Sequence, residues 1–115
     1  MIKRRFVENI TDLNTLCQAV RALLRHEEYS KCEELVANAM SKYPHAPEPH
    51  NLYGVILEKQ GLHPEAMKHF RAAWALEPSY FPARYNMDIA GSIDSKKDYA
   101  IDLSDCDKKA LKFVS

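Results

Sequence analysis

The stretch "HNLYGVILEKQGLHPEAMKHFRAAWALEP" (His50–Pro78) decides the fold. Its apolar residues recur at three- and four-residue steps on both sides of Gly61, the pattern of two amphipathic helices joined by a turn. Gly61 stands where the first helix should stop. His63 and Pro64 then fit a cap and a first helical position, where proline loses nothing by lacking an N–H. Gly54 is different: it lies inside the first apolar run, where glycine costs about 1 kcal/mol relative to alanine. A glycine kept there implies that another element packs too close for a side chain.

Outward from this stretch the same periodicity continues. Leu13, Leu16, Ala19, Val20, Leu23 and Leu24 form one helical stripe, for which Thr11 is the expected N-cap. Cys32, Leu35, Val36, Ala39 and Met40 form a second, ended by "YPHAP", because the ring of Pro44 cannot continue a helix. The third helix is expected over about Glu48–Lys59, and the fourth carries Ala66, Phe70, Ala73 and Trp74 up to Pro78. A fifth begins near Phe81 and reaches about Ser92. No useful strand-like alternation occurs, so the fold class is all-α.

The helices fall in pairs, which calls for a search for repeats. A shift of 34 residues superposes Leu23 on Leu57, Ala39 on Ala73 and Pro44 on Pro78, and places Val20 under Gly54 and Val36 under Phe70. With that period, Pro47 to Tyr80 resembles a tetratricopeptide repeat. Tyr53-Gly54 stands at the family's Leu-Gly pair and Leu57 at its tyrosine. Gly61 matches the turn glycine, and Ala66, Phe70, Ala73 and Pro78 match the second helix. His50 departs from the large apolar residue usual at its place. Residues 13–46 resemble a more divergent copy. Residues 81–93 are similar to the first helix of a third through Asn86, Met87 and Ala90, departing at Asp88 and Gly91. The resemblance implies a single domain, a short right-handed α-solenoid of antiparallel helix pairs. Because a stack needs sealed ends, residues 99–115 are expected to supply a capping helix, about Asp105–Val114. Ser104 with Asp107 would be its capping box, and it would pack on the fifth helix.

Composition narrows the function. Lysine plus arginine and aspartate plus glutamate number 16 each in 115 residues, so no overall field draws nucleic acid or an anionic membrane. No apolar run approaches the roughly 18 residues of a membrane span. The basic start "MIKRRFVENITDL" is not followed by an apolar signal region, and a cytoplasmic protein is expected. Cys17, Cys32 and Cys106 are an odd set without a CxxC pair, which suits reduced thiols. Cys17 is expected to be a small, half-buried packed residue; the alternative is that Arg21, one turn away, favours its thiolate. The histidines make no HxxxH or HExxH face, so no metal is expected; His69 should be solvated. No glycine-rich phosphate loop and no nucleophile–base pair is evident, and neither a catalytic site nor a cofactor is expected.

The family resemblance implies a concave groove lined by the first helix of each pair and holding an extended peptide or a partner's helix. Carried onto this chain, the groove would present Asn14, Cys17, Arg21 and Leu24 from the first copy. Asn51, Val55 and Glu58 come from the second, and Pro82, Tyr85 and Ile89 from the third. Asn51 has the donor and acceptor to grip a peptide group, and Arg21 the fork to hold a carboxylate. Of the positions by which chaperone-tail-binding members clamp a terminal carboxylate, here Cys17, Arg21, Leu52, Pro82 and Asn86, only Arg21 suits that task. The expected function is a non-catalytic protein–protein interaction module, monomeric or weakly dimeric. A self-associating assembly role through the repeat ends, at Tyr80, Phe81 or the tail, is the alternative.

Overall fold

The structure, a computed structural model, describes residues 12–92 and 97–106. Thr11, Asp107 and most of the expected final helix lie outside them. The described residues are all-α, without a strand: α1 is Leu13–Arg25, α2 Tyr29–Lys42, α3 Pro47–Lys59, α4 His63–Leu76 and α5 Phe81–Ala90. The cap of α1 is Asp12 rather than Thr11. Its extended backbone aims the carboxylate at the N–H of Thr15, 2.7 Å away, satisfying one of the donors left open by the first turn. The later helices start on proline instead: Pro47, Pro64 and Pro82 each lie within the first two positions, with no side-chain cap. His63 is the first residue of α4 and Leu62 its cap position, so the histidine is not the cap. The fifth helix ends at Ala90, short of Ser92.

The element boundaries repeat. Leu13, Pro47 and Phe81 open α1, α3 and α5 at intervals of 34 residues. Arg25 and Lys59 close α1 and α3 at the same interval, and α2 and α4 correspond residue for residue. The turns repeat as well. After α3, the N–H of Leu62 reaches the carbonyl of Leu57 (2.9 Å) and that of Gly61 the carbonyl of Glu58 (3.0 Å), with Gly61 at φ +79°. After α1, Glu28 reaches Leu23 and Glu27 reaches Leu24, both at 3.1 Å, with Glu27 at φ +54°. Both are the left-handed helix stop that recaptures orphan carbonyls, built once on glycine and once on glutamate.

Each helix packs on its neighbour in the chain, and α3 also touches α1 and α5. Leu16, Val20, Cys32, Val36, Leu52, Ile56, Ala66 and Phe70 are fully buried between them. Gly54 has the role its sequence position implied: a Cβ there would overlap carbons along one side of the Phe70 ring. At the equivalent place in the first pair stand Val20 and Val36, two medium residues in place of a small and a large one. Trp74, which shares the apolar stripe of the fourth helix with Phe70 and Ala73, is 41% exposed. Residues 97–106 run across the face shared by α1, α3 and α5, starting at α5, where Lys97 Nζ donates to the carbonyl of Ala90 (3.2 Å).

Candidate functional site

The positions assigned to a partner form one surface, and the chain's own tail is seated on most of it. Two fully buried amides hold the main chain of Ala100. The Ala100 N–H donates to Asn86 Oδ1 (2.7 Å), and its carbonyl accepts from Asn86 Nδ2 (2.8 Å) and Asn51 Nδ2 (3.1 Å). Asn86 Nδ2 also donates to Asn51 Oδ1 (2.8 Å). Both polar groups of one residue's backbone are therefore paired with side chains, and no side-chain information is read. Among the described residues, no buried side-chain nitrogen or oxygen lacks a hydrogen-bond partner, as burial of amides demands.

Arg21 supplies the charged grip. Its guanidinium meets Asp105 in a two-pronged contact, both bonds 3.0 Å, and lies 3.1 Å from Asp102. The Arg21 and Asp105 side chains retain only 25% and 21% of their exposure, so this pair is less screened than an exposed one worth about 0.2–1 kcal/mol. Burial opposes ionisation of Asp105. The bonds from Arg21 and from the N–H groups of Ile101 and Asp102 outweigh it, and the carboxyl stays below its ordinary range. Those bonds also fold the tail into the helical turn 103–106, whose start is capped by Asp102: its Oδ1 accepts from the Ser104 N–H at 3.0 Å. The cap is thus Asp102, not Ser104.

The remaining site residues divide by depth. Val55 is buried in the main core beside Ile101, while Tyr85 and Ile89 pack with Ala100 and Cys106 of the tail. Glu58 accepts from the Tyr99 hydroxyl and lies 2.9 Å from His63 Nδ1. Burial, followed by that bond to Glu58, raises the Tyr99 phenol above its usual value. Asn14 is exposed at the edge, beside Cys17 and the turn 102–104. Cys17 is 2% exposed. Burial pushes its thiol up to about 12 and nearby carboxylates add to this, so Arg21 does not make it a thiolate. Pro82 is buried and Leu24 half-buried. Beside the tail a cleft of about 270 Å³ opens, bordered by Arg21, Arg25, Lys59 and the tail's Asp98; Arg25 and Lys59 are exposed.

His69 is not solvated. It is half-buried between α3 and α4, stacked on Tyr53 with ring centres 4.5 Å apart, and its Nδ1 lies 3.1 Å from that of His50. Burial lowers both imidazoles below their ordinary value, and His50 lowers His69 further. Among the described residues, no three His, Cys, Asp or Glu side chains gather as a metal would need, and no helix is long and apolar enough to cross a membrane.

No family model, curated protein or solved structure matches this chain. The tail's role in the site was not evident from sequence. Asn86 carried the one available signal, an amide between Ala83 and Ala90 on the buried stripe of α5.

Proposed function

We propose that the chain is a tetratricopeptide-like interaction module, a short right-handed α-solenoid whose α1–α3–α5 face binds an extended peptide and performs no catalysis. The observation that carries this reading is the Asn51–Asn86 pair holding both peptide groups of Ala100. An extended segment gripped by its backbone, with pockets for alternate side chains, is a general mode of peptide recognition. The 34-residue recurrence of helix bounds and helix stops supports the repeat assignment, as does the near-contact of Gly54 with Phe70.

The test uses the full chain with Ala100→Trp. Ala100 is fully buried, so the indole cannot be seated and the face is vacated. A fluorescent peptide of residues 97–105, KDYAIDLSD, should then bind this variant saturably by polarisation. Adding Asn86→Ala should abolish binding while far-UV circular dichroism stays helical. Failure to bind a folded Ala100→Trp chain would sink the reading.

A self-assembling role is the second reading, favoured by exposed Trp74, Leu76 and Phe81 on α4 and α5. Tyr80 is buried and does not contribute. Light scattering over a concentration series separates the two readings, because a peptide receptor stays monomeric.

A further inference from the structure

We infer that the tail segment 97–106 is a displaceable occupant of its own binding face, and that the ligand which replaces it is an acidic segment of a different protein that follows the same path. This rests on the peptide-binding reading above and names the chemistry that such a peptide must have.

The seated tail works as a template. At the centre the amides accept any backbone, provided the side chain is small: Ala100 is fully buried. One residue earlier an aromatic hydroxyl meets Glu58, and one residue later an aliphatic side chain enters the core beside Val55. Two and five residues after the small one, carboxylates meet Arg21. The ligand pattern is therefore aromatic, small, aliphatic, Asp, any, any, Asp.

Charge complementarity favours a separate, more acidic ligand over a second copy of the tail. The cleft alongside the tail is lined by Arg21, Arg25 and Lys59 and by the tail's Asp98 and Asp105; Arg21 holds Asp105, and the exposed Arg25 and Lys59 share Asp98. A segment that brings further carboxylates to this cleft gains from those cations what the tail does not supply. It must gain something, because a tethered occupant competes at an effective concentration in the millimolar range. The tail lowers the apparent affinity of every ligand by the fraction of time it is seated, so weak or poorly matched peptides are refused.

The three thiols make this measurable in the unaltered chain. Cys106 is carried by the tail and buried against Tyr85, whereas Cys32 is buried in the main core. Alkylation followed by mapping of the modified cysteines reads tail release at Cys106 and global unfolding at Cys32. The probe is the peptide KDYAIDLSD, which has no thiol. Cys106 should react faster than Cys32 without probe. With probe at ten times its dissociation constant for the vacated face, the Cys106 rate should rise about elevenfold and the Cys32 rate should not change. Asp105→Asn or Asp98→Lys in the probe should raise the concentration needed.

Equal rates at Cys106 and Cys32, unmoved by probe, would make the tail a fixed part of the fold and overturn the inference. Cys106 reactivity that rises with the chain's own concentration, together with a dimer in light scattering, would identify the occupant as a second copy and overturn it also. Probe binding to the Ala100→Trp chain separates the two levels. If that binding holds while the unaltered chain is unmoved, the module reading survives and the displaceable tail does not.

Discussion

Gly54 costs α3 about 1 kcal/mol of helix propensity, and Phe70 occupies the space it leaves. A methyl group there must push an aromatic ring packed on all sides, and overpacking of this kind costs about 1–3 kcal/mol. Gly54→Ala should therefore destabilise the chain in urea titration even though alanine is the better helix former. The first pair suggests its own remedy, since Val20 and Val36 fill the equivalent space. Gly54→Val with Phe70→Val should cost less than the sum of the two single changes, with a coupling of about 1 kcal/mol or more in a double-mutant cycle. Additive costs would mean that the glycine and the ring are not matched. At Asn51, one side chain was enough to foresee the chemistry: a donor and an acceptor suited to a peptide group. What the single residue could not reveal was that the peptide group belongs to Ala100, since a contact 49 residues away leaves no local trace.

Between elements, the two helix stops use the same geometry with different residues. Glu27 holds φ +54° where Gly61 holds +79°, and a residue with a Cβ pays about 1 kcal/mol for that conformation. Glu27→Gly should raise stability by about 0.5–1 kcal/mol, and Gly61→Ala should lower it by a similar amount. Side-chain contacts cannot account for such a difference, because both positions are exposed. Acid should act on two joints in order. The His50–His69 joint of α3 and α4 prefers neutral rings, since both values lie below the ordinary 6.5. The unfolded chain then takes up protons first, and stability falls as pH drops below 6.5 toward the lowered folded values. Asp105 is a depressed carboxylate with an ordinary value of 3.8. Its contribution is complete above that value and is lost only as pH falls through the still lower folded one. Between about pH 7 and about pH 5 the melting temperature should decline while Cys106 stays protected, and His69→Gln should flatten that decline.

For the molecule as a whole, the five described helices and most of their bounds were legible because each depends on local signals: prolines at helix ends and at the start of α4, a glycine at one stop, and apolar stripes of period 3.6. Arg21, Asn51 and Glu58 stood one step off their stripes, whereas Asn86 lay on the stripe of α5 and was not read as part of the face. The tail was not legible. "KDYAIDLSDC" has no helical stripe in its first half, and what orders it is Arg21, Asn51 and Asn86 on three separate helices. Trp74 misled because its place in the stripe says nothing about whether a further helix lies beyond α4. The connectivity that results has a thermodynamic consequence. Short repeat stacks can fray from their ends when only nearest neighbours touch, but here α3 touches all four of the other described helices. Loosening α3 should therefore loosen both ends together. Leu52→Ala, at a fully buried position of α3, should cost about 2–5 kcal/mol, a large share of the about 5–15 kcal/mol that a domain possesses. Trp74 fluorescence reports α4, and far-UV circular dichroism reports every helix. In the original and in Leu52→Ala the two transitions should coincide and shift by the same amount, as one cooperative unit requires. If the fluorescence transition moved while part of the dichroism change stayed behind, α1 and α2 would be folding independently of the second pair, and the hub role of α3 would be lost.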